Sequence, residues 1–144
     1  MADFKVDGIN ASIEEMRRIA KAPDSVKAEM LTTMANIAAA EQKKTAMELG
    51  VYDPDSDGKH LADTIKVTKP KLTDDGGSVS VTFSGKRKDK SHKTPTRNAE
   101  IAFINEYGKR GQAARPFVRT ANSRAEERIQ KAGEAVWDKW INKK

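Results

Sequence analysis

Two short runs of alternating apolar and polar residues, joined by a segment suited to a reversal of direction, constrain this chain more than any other feature. Ile65 and Val67 alternate with Thr64, Lys66 and Thr68, and Val79, Val81 and Phe83 alternate with Ser78, Ser80 and Thr82. A period of two places the apolar side chains of an extended chain on one face, so each run reads as a strand. Between them, Thr73-Asp74-Asp75-Gly76-Gly77 suits a hairpin turn because glycine accepts positive φ. An antiparallel hairpin of about 63–72 and 78–84 is expected. Pro70 cannot donate to a ladder, so the first strand should be bulged or at an edge there.

The flanking sequence reads as helix. Ser12 and Glu15 form a capping box, in which hydroxyl and carboxylate satisfy backbone N–H groups that lack an intrahelical partner. A short helix should begin there, bury Ile13, Met16 and Ala20, and end before Pro23. A second helix is expected over 24–49, with Pro23 suited to its first turn and Gly50 as its stop. Val26, Met30, Met34, Ile37 and Ala38 share one side of it, with Lys27, Glu41, Lys43 and Lys44 elsewhere. Asn98 reads as the cap of a short helix over 99–107 that ends at Gly108 and carries Ile101, Ala102, Phe103, Ile104 and Tyr107. Ile101 and Phe103 also alternate, so a strand is the rival reading there. Pro116 begins a long final helix with Val118, Ala121, Ala125, Ile129, Ala132, Val136 and Trp140 along one face. The expected fold is α+β: a small antiparallel sheet, the hairpin near 63–84, packed against a long N-terminal helix and a long C-terminal helix.

At 144 residues the chain suits a single domain, 1–144, and with 37% hydrophobic against 33% charged residues its core should be thin. The absence of cysteine excludes a disulfide scaffold, a thiolate metal site and a cysteine nucleophile. His60 and His92 are the two histidines and lie in polar segments, which leaves no histidine-rich zinc site. No apolar stretch is long enough to span a membrane, and Met1 to Val6 lacks a secretory apolar region. Neither a nucleophile elbow nor a phosphate-cradling glycine loop occurs, so no enzyme and no cofactor is expected. Asp53-Pro54-Asp55-Ser56-Asp57-Gly58 matches the first half of a calcium loop, where alternating carboxylates wrap a hard cation. The second half fails: Thr64 stands where a bidentate glutamate is needed, His60 where an apolar residue is usual, and Asp63 is one residue out of place. The segment reads as a solvated acidic turn, with no metal.

Basic residues number 27 and acidic residues 21, a net charge of +6, and the excess gathers between Gly85 and Arg97. Lys86, Arg87, Lys88, Lys90, Lys93 and Arg97 face Asp89 alone there, with no apolar anchor, so this basic loop, about 85–97, should be mobile in isolation. It reads as an arm that orders on a protein partner, or as a nonspecific nucleic-acid contact that neutralises phosphates. With no aromatic in the loop, base stacking is absent from that second reading. Trp137 and Trp140, three apart near the end of the last helix, are core anchors or a subunit contact.

The stretch Glu106-Tyr107-Gly108, followed after a polar turn by Ala114-Arg115-Pro116-Phe117-Val118-Arg119 and a long helix, resembles the hallmark of a family of tailed-bacteriophage minor tail components. That family acts in head-tail joining, as tail completion or tail terminator proteins. Gly58, Leu61, Thr64 and Ile65 also resemble its step into the first strand. The resemblance implies an α+β structural protein of the virion tail or neck, made in the host bacterial cytoplasm. It implies a homo-oligomeric ring, hexameric by the resemblance, at the head-proximal end of the tail. Its partners would be the head connector or stopper protein, the tail tube protein, and DNA passing an axial channel without sequence-specific binding; no membrane is involved. Carried onto this sequence, Tyr107 and Gly108 would shape the turn, and Arg115, Pro116 and Phe117 would fix the start of the last helix against the sheet. Arg119, Trp137 and Trp140 complete the candidate assembly residues. The turn between the two motifs is commonly rich in small residues in that family, whereas Lys109, Arg110 and Gln112 occupy it here.

Overall fold

The computed structural model describes residue 14 and residues 21–51, 61–74, 76–87 and 96–142. The expected first helix with Ser12, Ile13, Glu15, Met16 and Ala20, the acidic turn over 52–60, and Lys88, Asp89, Lys90, His92 and Lys93 lie outside the described residues.

Helix α1, Asp24–Glu48, is built mostly from strong helix formers and contains neither glycine nor proline. The carbonyl of Pro23 accepts the N–H groups of Val26 and Lys27 at 3.0 and 3.1 Å, which opens the helix. Gly50, at φ 69°, turns the chain out of it. The last helix, α3, spans Phe117–Ile141 and packs along α1.

That packing corrects the expected faces. Phe117, Ala121, Ala125, Gly133 and Trp137 of α3 are buried, whereas Val118, Ile129, Ala132, Val136 and Trp140 are half-buried beside them. Ala35 and Ala46 of α1 are buried too, so small side chains occupy much of the seam and let the two helices approach closely. Polar groups close its edges. Glu41 meets Arg128 at 2.6 Å and Gln42 meets Asn122 at 3.0 Å. Glu41, expected away from the apolar side of α1, is therefore buried and paired, and Lys27, expected there too, is buried beneath the hairpin tip.

The hairpin forms with the irregularity Pro70 demands. β1, Ile65–Val67, pairs antiparallel with β4, Val81–Phe83, in the register Ile65 opposite Phe83. β2, Lys71–Thr73, pairs with β3, Gly76–Ser78, in the register Lys71 opposite Ser78. Three residues, 68–70, thus oppose two, 79–80, and the hairpin is two ladders separated by a bulge rather than one continuous pair. Thr68 closes the bulge: its N–H donates to Ser80 O at 2.8 Å, and its Oγ1 accepts the Ser80 N–H at 2.9 Å. The tip lies on α1, where the Lys27 amine donates to the carbonyls of Thr73 and Asp74, both at 3.2 Å. Gly77 is required there, because a Cβ would stand 2.8 Å from Lys71 O and 3.2 Å from Leu31 Cδ1.

A 3-10 turn, Leu61–Thr64, leads into β1 and buries Leu61 and Ala62. Beyond β4, β5, Lys86–Arg87, pairs with β6, Thr96–Arg97, so the two ends of the basic segment form a short ladder. Backbone pairing thus joins the two ends of the segment although they lack an apolar anchor. Helix α2, Asn98–Tyr107, follows directly and decides against a strand. Ala102 and Glu106, one helical turn apart, are its inward positions together with Asn98. Asn98 is not a side-chain cap. Its N–H donates to Gly85 O at 3.0 Å and its amide nitrogen to Ser84 O at 2.7 Å, which ties α2 to the end of β4.

Two apolar clusters result. Ala46, Val51, Leu61, Ala62, Ala102 and Phe117 form one, with Phe83, Ile101 and Val118 against it. Ala22, Val26 and Trp137 form the other, with Met30, Val136 and Trp140.

Candidate assembly site

Glu106, Gly108, Arg115, Pro116 and Phe117 converge on the start of α3. Pro116, which precedes the helix, has no side-chain acceptor with which to cap it. Glu106 does this from the neighbouring helix: Oε2 accepts the N–H of Val118 at 2.8 Å and Oε1 that of Arg119 at 3.1 Å. A carboxylate at a helix N-terminus satisfies orphan donors and opposes the positive end of the macrodipole, which accounts for a buried glutamate here. Arg119 places Nε 4.0 Å from Glu106 Oε1, while most of its side chain is exposed.

Gly108 makes this meeting possible. It sits at φ 78°, ψ 174°, a region open essentially to glycine alone, and its N–H closes α2 on Ile104 O at 2.7 Å. A Cβ at Gly108 would come within 2.9 Å of both Ala114 N and Gln112 O. The turn it admits is closed by paired hydrogen bonds between Lys109 and Gln112. The chain then returns alongside α2, where the Arg115 N–H donates to Asn105 O at 2.6 Å. The Arg115 guanidinium donates to Gly50 O at 2.8 Å, so it stitches the end of α1 to the approach to α3. Phe117 is fully buried and meets Phe83 edge-on, with centroids 5.7 Å apart. Helix, turn and strand are thus joined at one point.

Tyr107 lies apart from this junction. It is 64% exposed, and Phe103, one turn earlier, is 61% exposed, with ring centroids 4.7 Å apart. The groove beside them is floored by Phe83, Ala102 and Val118, with Arg119 at its side. Phe103 was not singled out from sequence as a surface residue. Sequence could not single it out: only with Ala102 and Glu106 turned inward do positions 103 and 107 share the outward side of the helix.

Trp137 is buried between the long helices, and Trp140 is half-buried with its ring 5.0 Å from that of Trp137. Of the basic segment, Lys86 and Arg97 are exposed at the ladder, and Arg87 lies in β5. Thr64, weighed as a calcium-loop position, donates Oγ1 to Leu61 O at 2.7 Å, and Asp63 pairs with Lys43 at 3.4 Å. Among the described residues no group of His, Asp and Glu side chains gathers as a metal site, and no helix is long and apolar enough to cross a membrane.

No curated protein and no solved structure matches this chain. Residues 7–109 match the family described as "Bacteriophage HK97-gp10, putative tail-component". The matched span takes in α1, both ladders of the hairpin, α2 and Glu106-Tyr107-Gly108, and it ends before Arg115, Pro116 and Phe117. Covering most of the 144 residues, the match shows that this chain belongs to the HK97 gp10-like family of bacteriophage tail components.

Proposed function

We propose that the protein assembles with copies of itself into a ring at the head-proximal end of a phage tail, where it completes the tail and joins it to the head connector. Membership of a tail-component family carries this reading. A polar domain with a thin core and an exposed aromatic pair supports it, since such a subunit has surface left to bury on assembly. The ring meets the connector or stopper protein on one side and the tail tube protein on the other. DNA passes through it without sequence-specific contact, and the basic segment 85–97 orders against a neighbouring protein. The test is direct. Purified protein imaged by negative stain should show rings, and a phage lacking the gene should accumulate separate heads and tails that join when the protein is supplied. Joined, infectious particles in the absence of the protein would refute the role.

A nonspecific nucleic-acid-binding protein is the second reading, favoured by the charge distribution. Between residues 85 and 119 the chain carries ten Lys and Arg against three Asp and Glu. A protein acting in this way binds short duplex DNA as a free subunit, with affinity falling steeply as salt rises. An assembly subunit shows no such binding at physiological salt.

A further inference from the structure

The long helices leave an open groove between them toward the start of α1 and the end of α3. Met30 and Met34 of α1 and Ile129, Gly133 and Trp137 of α3 line it. Gly133 lets the helices approach, since a Cβ there would stand 2.6 Å from Met34 Sδ. Met30, Met34 and Ile129 are only half-buried, which leaves apolar surface for a further contact, and thioethers adapt such a surface to the side chains that meet it. Among the described residues, Glu126 and Glu134 are the charged ones that line the groove, and neighbouring Glu127 is paired with Lys131 at 2.9 Å. A helix with one apolar side and a basic flank suits this surface.

The chain itself brings such a segment to the end of the groove. Lys21 is helical and α1 starts at Asp24, so Ala22 and Pro23 are the whole connection. Proline keeps the residue before it out of the helical region, and two residues suffice to join antiparallel helices. Ala22 is buried in one cluster with Val26 and Trp137, which fixes the point of entry. Before Ala22, Glu14 and Lys21 are the described residues, and both are helical and exposed. In a continuous helix positions seven apart share one side, and Met16 and Ile19 then fall on the opposite side. Arg17, one turn before Lys21, lies on the flank beside it, while Glu14 and Glu15 belong to the half remote from Ala22.

We infer that residues 12–21 fold back across Pro23 as a helix and close this groove in their own subunit, with Met16 and Ile19 against the apolar lining and Arg17 and Lys21 along Glu134. Met16 and Met30 each stand seven residues from Pro23, so antiparallel packing brings them level. Ten residues of helix run about 15 Å, enough to reach along α3 from Trp137 past Ile129. The contact lies within one subunit and stands whether or not the ring forms. It leaves Phe103 and Tyr107, beside the other end of α3, as an exposed aromatic surface.

Thiol pairs test this, because the chain has no cysteine of its own. In the full-length protein, Met16→Cys with Met30→Cys should oxidise to an intramolecular disulfide at the monomer mass of 15.9 kDa. Glu14→Cys with Met30→Cys, in which the first thiol faces away, should close at least about tenfold more slowly. Arg17→Glu with Lys21→Glu should slow closure of the Met16–Met30 pair. Met16→Ser with Ile19→Ser should shift tryptophan emission to the red while thermal unfolding stays cooperative, since the chain's two tryptophans, Trp137 and Trp140, lie together at this end of α3. Equal closure rates for the two thiol pairs would overturn the inference, because an untethered segment reaches Met30 from either position. A disulfide joining two chains would also overturn it, by placing the segment of a neighbouring copy in the groove. So would tryptophan emission left unchanged by Met16→Ser with Ile19→Ser.

Discussion

Glu106 and Phe117 act on the same helix start by different physics, and substitution should separate them. Phe117 has no exposed surface and packs on Phe83, so Phe117→Ala leaves a cavity in the first cluster. A loss of about 4 kcal/mol in urea unfolding is expected. Glu106→Ala removes the acceptors of two backbone N–H groups at the start of α3, and its cost should be about 1.5 kcal/mol, as for a helix cap. Gln at the same position keeps one neutral acceptor and should recover part of that loss. Gly108→Ala fails for a third reason. The backbone there has φ 78°, ψ 174°, and the new methyl would meet two backbone atoms that cannot swing aside. About 3 kcal/mol, read as a lowered melting temperature, is expected, in contrast to the small change usual at a surface turn.

The two long helices are held by a seam whose polar edge is sensitive to acid. A hydrogen bond from Arg128 holds the Glu41 carboxylate below its ordinary value near 4.5; burial opposes this, while the charges of Arg128, Lys44 and Arg124 reinforce it. The folded state therefore releases this proton more readily than the unfolded chain. The stabilisation is present above the ordinary carboxylate value and is lost as pH falls through the lower folded-state value. Glu41→Gln should flatten the acid limb of a stability-pH profile below pH about 5, while the neutral limb keeps its slope. An acid limb unchanged in this variant would show that Glu41 is not a source of it. The hairpin obeys a different constraint. Its two ladders are out of register by one residue because Pro70 offers no N–H, and the bulge lets β2 and β3 lean onto α1, where Lys27 receives them.

For the molecule as a whole, charge is segregated along the chain. Ten basic residues between 85 and 119 account for more than the net +6, so the remainder of the chain is close to neutral. Association with a partner of opposite charge should then be steered electrostatically and slow as salt screens it. Raising ionic strength from about 0.05 to 0.5 M should lower the association rate by roughly tenfold, followed by light scattering after mixing, with a smaller change in dissociation. A rate insensitive to salt would leave apolar contact alone as the driving force. Arg115, by contrast, is engaged within the chain through Gly50, so Arg115→Ala is expected to cost about 1 kcal/mol in the monomer.

Much of the architecture was written locally. Period-two alternation and the missing N–H of Pro70 specify a bulged hairpin, although Gly76 and Gly77, expected to turn it through positive φ, instead lie in β3 without it; Gly50 and Gly108 end their helices because each occupies a positive φ that other residues resist. Such features depend on a residue and its immediate neighbours, which is why sequence by itself determined them. Local rules could not decide which side of a 25-residue helix is buried, since α1 offers an apolar stripe and a stripe of small residues, and only packing against α3 chose between them. Glu41 became a buried partner because Arg128 lies across the seam, 87 residues away in sequence. Glu106 became a helix cap because the turn at Gly108 returns Val118 and Arg119 to it. Phe103 and Tyr107 were left at the surface because the neighbouring positions, Ala102 and Glu106, were taken inward. Tertiary structure alone decided these, because burial, pairing and exposure are energies between distant segments, and no periodicity within one segment contains them.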